Sequence, residues 1–374
     1  MIYFDNAATG GFKPRSVVDS ALSVIRYLCA NPGRSGHRLS IAGADLISQT
    51  RETLGKMFFA EPDRVIFTKN CTEALNLAIF GSLKKGGHII ATTFEHNSVL
   101  RPLFNLKNQG LIELDIASPE KNLSLVEAIK EKIKNNTYLI ALTAVSNVTG
   151  EIFPISEISK LCKEKNILLL VDGAQGGGHI PLTIKDSGIS FLALAGHKGL
   201  YGIMGSGALI LNNSVSLKPL LYGGTGTESF NLNQPESSPE RFEAGTLNLP
   251  AISALNDGVK FVLENMKNFG DNLLSQTKQL INGITEIKNA TCYSKPNPAG
   301  IVSFSLNNLS SGEVADLLSS DYDVAVRGGF HCSPLTHKYL KTDSDGLVRA
   351  SLAVQNSSRE ISYFISAVKE IAKR

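Results

Sequence analysis

Asp172 and Lys198 are the two side chains whose types and settings first suggest covalent chemistry. Asp172 closes a continuous apolar run, Ile167 to Val171, and Lys198 follows a second run, Ser190 to Ala195, after Gly196 and His197. Apolar runs without alternation suit strands buried on both faces of a parallel sheet, although a buried helix segment shares the pattern. The carboxyl ends of such strands are where ligands bind in open α/β sheets. A lysine amine forms a Schiff base with an aldehyde, and a carboxylate keeps a pyridine nitrogen protonated so that the ring accepts electrons. These are the two protein groups that pyridoxal phosphate (PLP) chemistry needs. Taken singly, an exposed lysine and a helix-capping aspartate are the plainer readings. The pairing, the glycines around it, and Gln175 and His197 beside it favour the chemical one.

A thiol is the next candidate. Cys332 lies in Arg327-Gly328-Gly329-Phe330-His331-Cys332-Ser333-Pro334-Leu335, where a nearby arginine and histidine favour a thiolate and the glycines leave room for movement. The remaining cysteines, Cys29, Cys71, Cys162 and Cys292, read as inert. Thr68 to Ala74 joins a strand to a helix, and free N–H groups at a helix start suit a phosphate. On spacing alone, an ordinary N-cap by Asn70 or Thr72 is the simpler account. His96 in Thr93–Ser98 again ends a strand, where an imidazole can stack on an aromatic ring and move protons. Asn147, after a further strand, and Gln175 are candidates for a cofactor's phenolic oxygen, Asn147 also for a substrate carboxylate. Gly202, Gly205 and Gly207 do not make the GxGxxG fingerprint, and no Walker A sequence is present.

The elements that must position these groups alternate. Strand-like runs occur at Arg64–Thr68, His88–Thr92, Leu111–Leu114, Tyr138–Thr143, Ile167–Val171, Ser190–Ala195 and Gly207–Leu211, most of them separated by helical or loop segments. That order predicts an α/β fold with a largely parallel sheet. From Leu255 the apolar residues Val259, Val262, Met266, Phe269 and Leu273 step by four and three, a long amphipathic helix leading to a C-terminal region. There, strands are expected near Ile301–Leu306, Asp323–Val326 and Leu347–Leu352, with a closing helix from Ser358.

Composition narrows the class. The 374 residues are 43% hydrophobic, enough for a large core and two domains. The net charge of +3 is spread along the chain, which argues against nucleic acid as a partner. Five cysteines without a CxxC pair argue for reduced thiols, and no metal is called for. The start of the sequence lacks the basic and apolar regions of a signal peptide, and no run reaches membrane-spanning length, so a soluble, cytoplasmic protein is expected.

Asp172-Gly-Ala-Gln175 and Gly196-His-Lys-Gly-Leu-Tyr-Gly202 resemble the class V aminotransferase branch of the fold type I PLP enzymes, and the Arg327–Cys332 loop resembles the R-x-G-x-H-C pattern of the cysteine desulfurase and selenocysteine lyase family. Ordered matches run from Asp5-Asn-Ala-Ala-Thr9 through Glu95-His96 and Arg241-Phe-Glu-Ala-Gly-Thr246 to Val348-Arg349-Ala-Ser-Leu352. The resemblance implies the PLP-dependent transferase fold type I: a large domain over residues 15–249 with a mainly parallel seven-stranded sheet, and a smaller α+β domain of residues 1–14 and 250–374. It implies PLP as cofactor, with Cys71 (through its backbone), Thr72, His96, Asn147, Asp172, Gln175, His197, Lys198 and Thr246 around it. Thr246 would serve a partner subunit's site in a homodimer. Arg349, with Asn147, Arg327 and the Ala7 segment, would meet the substrate, a guanidinium fork being matched to a carboxylate. Lys198, His96 and Cys332 would carry conversion of L-cysteine to alanine, with sulfur passing to Cys332 as a persulfide and on to an acceptor for iron–sulfur or other sulfur chemistry. Another PLP lyase or aminotransferase, and selenocysteine as substrate, are the alternatives. Relatives often have a histidine where this chain has Gly33, and a hydroxyl where it has Ala195.

Overall fold

The unalternating runs become the inner strands of a seven-stranded sheet in the computed structural model, which describes residues 1–33 and 35–374. Arg34, in the Asn31–His37 loop, lies outside the described residues. The strands are β1 (Ile2–Tyr3), β2 (Val65–Thr68), β3 (Gly87–Thr92), β4 (Ile112–Ala117), β5 (Thr137–Thr143), β6 (Leu168–Asp172), β7 (Phe191–Ala195), β8 (Gly207–Leu211), β9 (Ala290–Cys292), β10 (Ile301–Leu306), β11 (Val324–Ala325) and β12 (Val348–Ser351). The helices are α1 (Arg15–Tyr27), α2 (Arg38–Phe58), α3 (Cys71–Gly81), α4 (Asn97–Asn108), α5 (Leu125–Glu131), α6 (Ile155–Lys165), α7 (Leu249–Thr285), α8 (Ser311–Tyr322), α9 (Pro334–Leu340) and α10 (Ser358–Ile371).

The main sheet runs β2-β8-β7-β6-β5-β3-β4. β8 is antiparallel to both of its neighbours, and the other pairings are parallel. Two separate apolar clusters explain the runs. Leu169, Val171, Leu192 and Leu194 pack on one face, whereas Leu170, Phe191, Ala193 and Ala195 pack on the other. β7, and β6 up to Val171, are therefore apolar whichever way a residue points.

All seven expected strands of the main sheet are present, with ends within a few residues of the sequence limits. Two short strands carried too few residues to show a pattern: β1, which pairs with β11, and β9, which extends the small antiparallel sheet β12-β10-β9. The long helix begins at Leu249, with Asn248 capping the Ala251 N–H. Its early residues Leu255, Val259 and Val262 pack with the main sheet's core, and Leu273, Leu280 and Ile284 pack in a third cluster with Phe304 and Phe364. Phe4 joins that third cluster, so the N-terminal segment packs with C-terminal elements.

The glycine-rich turns place the Asp172 and Lys198 segments back to back. Gly178 has φ +87°, and a side chain there would meet the carbonyl of Gly199, the residue after Lys198. Gly178→Ala therefore combines positive-φ strain with a clash against backbone that cannot easily yield. A loss of about 2 kcal/mol or more is expected in urea unfolding; a change inside about 0.5 kcal/mol would show that the two turns can separate freely.

Candidate active site

Parallel strands deliver their carboxyl ends to one edge, and register fixes which ends meet. Thr143 lies opposite Asp172, Asp172 opposite Ala193, and Gly207 opposite both Ala195 and Thr68. The segments that follow β2, β3, β5, β6 and β7 therefore converge, as expected for a ligand crevice. They line a cavity walled by Cys71, Thr72, His96, Asn147, Asp172, Gln175, His197 and Lys198. Eight of the residues singled out in the sequence are thus brought together. Ala7 lines an adjoining recess with Gln175 and Lys198.

Local chemistry holds each group. Asp172 is buried, and its Oδ1 accepts from the Ala174 N–H at 2.9 Å. The Cys71 thiol also points to Oδ1, at 3.5 Å, so this cysteine contributes more than its backbone to the pocket. Burial, the negative charge of Asp172 and its hydrogen bond push the Cys71 thiol well up. Burial lowers the Lys198 amine from its ordinary range, and the Arg349 charge adds to the effect. A lysine so placed is easier to deprotonate and is a better nucleophile.

Asn70 caps α3 by accepting from the Glu73 N–H, so the simple capping account holds for one of the orphan donors. The Thr72 hydroxyl meets that of Ser98 at 2.8 Å across the cavity mouth. His37, in the glycine-rich loop, caps α2 through an Nδ1 that accepts from the Ser40 N–H.

His96 Nδ1 accepts from the Ser98 N–H at 3.0 Å, and burial pushes its pKa down to about 4. A neutral ring whose Nδ1 is an acceptor carries its proton on Nε2. His197 is held by Thr9, whose hydroxyl lies 3.0 Å from Nδ1, and Gln175 Nε2 donates to the Ala7 carbonyl at 2.9 Å.

Arg349 is 2% exposed. Its Nη1 donates to the Asn147 carbonyl at 2.9 Å and its Nη2 to Asp5 Oδ1 at 3.1 Å, while Nε has no partner among the described residues. A buried, unpartnered N–H is costly unless something fills it, and a carboxylate fits that edge of the fork. Backbone bridges pair Arg327 with Arg349, and Arg327 Nη2 stands 3.8 Å from Cys332 Sγ. Asn147 spends its carboxamide on the cysteine loop, with Nδ2 donating to the His331 carbonyl at 2.7 Å and Oδ1 accepting from Ser333 at 2.7 Å.

Thr246 stands apart from this group. It is exposed in a cleft shared with Asn31, Gly33, Arg51 and Glu243, where Asn31 Nδ2 reaches its hydroxyl at 3.5 Å. Glu243 is anchored there by Arg51, Nη1 to Oε1 at 2.9 Å. The donor set in the main cavity fits PLP: a buried amine of lowered pKa, a buried carboxylate, a neutral imidazole and a helix start.

Three groups make contacts that carry no signal in the sequence. Asp5, which opens the Asp5–Thr9 match, pairs with Arg349 across 344 residues, a contact the sequence does not show. Lys13 donates to the His197 carbonyl at 3.1 Å, and burial lowers its pKa to about 8; a lone lysine carries no signal for such a contact. Glu95 accepts from the Thr92 hydroxyl at 2.5 Å and the Thr143 N–H at 3.1 Å. Burial raises its pKa to about 8, so at neutral pH a protonated acid ties β3 to β5 beneath the cavity.

These shifts have a stability consequence. Burial first of all depresses His96 and His197 to about 4 and His331 to about 2, against an ordinary 6.5. Between roughly pH 6.5 and 4 the unfolded chain therefore binds more protons at these sites, and their contribution to stability declines as pH falls. Glu95 acts oppositely, because its folded pKa is raised from 4.5 to about 8 and its contribution fades as pH rises through that window. His88, His179 and His337 are lowered in the same way and Glu151 and Glu243 raised like Glu95, so six depressed histidines against three raised glutamates predict a lower melting temperature for the cofactor-free protein at pH 5 than at pH 6.5. A flat or rising profile on acidification would contradict the burial of these imidazoles.

Comparison with known proteins agrees with this arrangement. A probable cysteine desulfurase of Pyrococcus abyssi is 36% identical over 393 aligned positions, covering 100% of this chain and 94% of the relative. One from Borreliella burgdorferi is 33% identical, covering 100% of this chain and 92% of the relative. The apo structure of the cysteine desulfurase from Thermococcus onnurineus NA1 superposes with a TM-score of 0.92 at 32% identity, covering 100% of this chain and 94% of the other. Family members are PLP-dependent, and the fold is that of the type I enzymes. The profile of the family described as aminotransferase class-V matches residues 2–364, and with relatives of this kind the chain belongs to that family, in its cysteine desulfurase branch.

Proposed function

We propose that this protein is a PLP-dependent cysteine desulfurase that converts L-cysteine to L-alanine and receives the sulfur on Cys332 as a persulfide. The observation that carries the reading is the seat of the thiol. Cys332 Sγ lies 3.8 Å from the Arg327 guanidinium, on a loop hydrogen-bonded to Asn147, which lines the cavity containing Lys198 and Asp172. An aminotransferase has no use for a thiol held in this way.

When bound, PLP supplies an electron sink for the pair released at the substrate's α-carbon. Lys198 would hold the cofactor and take the α-proton at Nζ, and Asp172 would keep the ring nitrogen protonated. Arg349 would seat the substrate carboxylate, its unpartnered Nε giving one arm of the grip and its Asp5 pairing holding the fork in place. His96, neutral and protonated on Nε2, would relay a proton near the substrate sulfur. The Cys332 thiolate would form an S–S bond as the substrate's C–S bond breaks. Carbon gains the electron pair that sulfur loses and picks up a proton, so no outside oxidant is needed.

The division into a large domain of residues 15–249 and a smaller one of 1–14 with 250–374 belongs to the same reading. It is supported by the separate third core cluster and by Phe4 within it. A homodimer in which Thr246 reaches the partner's site is supported by the exposure of that residue, away from its own chain's cavity. A cytoplasmic location and a sulfur acceptor serving iron–sulfur or other sulfur-compound assembly complete the proposal. No described helix is long and apolar enough to cross a membrane.

PLP-loaded protein given L-cysteine and reductant should release alanine, and Cys332→Ala should lower that rate at least about 100-fold. Alanine at equal rates from both would mean the thiol is idle, and none from either would sink cysteine as the simple substrate. The shared site has its own test. Lys198→Ala and Thr246→Ala, each weak alone, should regain activity when mixed and allowed to exchange subunits, because one of the two hybrid sites is then intact. Failure of the mixture to exceed its parents would place Thr246 outside the partner's site.

A further inference from the structure

The loop that carries Cys332 holds a conformation that L-residues seldom adopt, at two consecutive positions: His331 has φ +48° and Cys332 has φ +59°. Strain of this kind persists only where the surroundings over-determine it. Here a single carboxamide does much of that. Asn147 Nδ2 donates to the His331 carbonyl at 2.7 Å, and Oδ1 accepts from the Ser333 hydroxyl at 2.7 Å, so the residues on both sides of the thiol are gripped by one side chain. The Asn97 N–H reaches the Cys332 carbonyl at 2.8 Å, and the Ser333 N–H closes a turn onto the Phe330 carbonyl at 3.0 Å.

The His331 carbonyl dictates which way the carboxamide faces. It can only accept, so it selects Nδ2. With the orientation so fixed, Oδ1 faces the Ser333 hydroxyl, which donates to it. Ser333 has no solvent exposure, so water cannot replace this donor at the surface. The Asn147 backbone carbonyl in turn accepts from Arg349 Nη1 at 2.9 Å, which ties the clamp to the guanidinium assigned above to the substrate carboxylate.

We propose that Ser333 is a positioning residue for sulfur transfer: its hydroxyl locks the Asn147 carboxamide and so fixes the Cys332 loop over the end of β5. The assignment rests on the desulfurase reading. Without the hydroxyl, Oδ1 of Asn147 is left buried and unsatisfied, which is relieved by rotation of the carboxamide or by relaxation of the strained pair. Either shift moves the thiol while leaving Lys198, Asp172 and the Arg349 side chain in place. A reacting atom displaced by about 1 Å loses one to two orders of magnitude in rate.

The test uses the PLP-loaded full chain and Ser333→Ala. The rate at which L-cysteine builds a persulfide on Cys332 should fall about tenfold. The KM for L-cysteine, and deuterium exchange at the α-carbon of L-alanine, should stay within about twofold, because both depend on Lys198 and Arg349 and not on the thiol. Hydrogen exchange over residues 328–335 should quicken, with residues 137–147 unchanged. Equal persulfide rates in variant and unmodified protein overturn the assignment and leave the desulfurase reading intact. No persulfide in the unmodified protein overturns that reading, and the assignment with it. If Ser333→Ala does not fold, the unmodified protein still decides. A clamped loop exchanges at least about tenfold more slowly at 328–335 than in the exposed 226–232 segment, and comparable exchange in the two overturns the clamp.

Discussion

A sheet that is apolar on both faces has no place for polar chemistry except at the ends of its strands. That constraint organises the molecule. β5, β6 and β7 are fully or almost fully buried along their lengths, so Asp172, Asn147 and Lys198 can meet a ligand only where the strands stop. The antiparallel β8 contributes no such end. It places Gly207 between Thr68 and Ala195, and a side chain at Gly207 would meet the backbone of Asn70, so the bare residue lets the start of α3 close against the same edge.

Burial also sets the protonation of the site. A cavity lined by Leu75, Ala195 and the strand ends penalises charge, and the amine, the imidazoles and the buried Glu95 carboxyl all shift toward their neutral forms. Neutral groups are the useful ones before substrate arrives: an amine that can attack, an imidazole that donates from a known nitrogen, and an acid that bridges two strands without repelling Asp172.

The legibility of the sequence follows the range of the interactions involved. Strand-end residues such as Asp172 and Lys198 could be read because an unalternating run points directly at the residue that ends it. The amphipathic period from Leu255 showed the long helix, although its first turn, at Leu249 and Pro250, belongs to a cap signal and not to the period. Pairings without a local pattern were silent. Asp5 with Arg349, and Asn147 with Ser333, join residues 344 and 186 positions apart. His37 illustrates the converse: in a glycine-rich loop it invites a functional reading, and its geometry is that of a cap. Thr246 is legible only through resemblance, and within one chain it shares a cleft with Asn31, Arg51 and Glu243, where among the described residues only Asn31 reaches its hydroxyl, which leaves its task unexplained by its own subunit.

The pairing of β1 with β11, together with the Asp5–Arg349 bridge, has a consequence for how the protein comes into being. Asp5 leaves the ribosome long before Arg349 exists, and domains tend to organise in the order they are made. The main sheet, complete by Leu211, can therefore form while its floor still lacks the guanidinium, the cysteine loop and the strand that fastens the N-terminal segment. A nascent chain would own Lys198 and Asp172 but neither Arg349 nor Cys332. The sulfur transfer proposed above would thus have to wait until translation has reached the last strand.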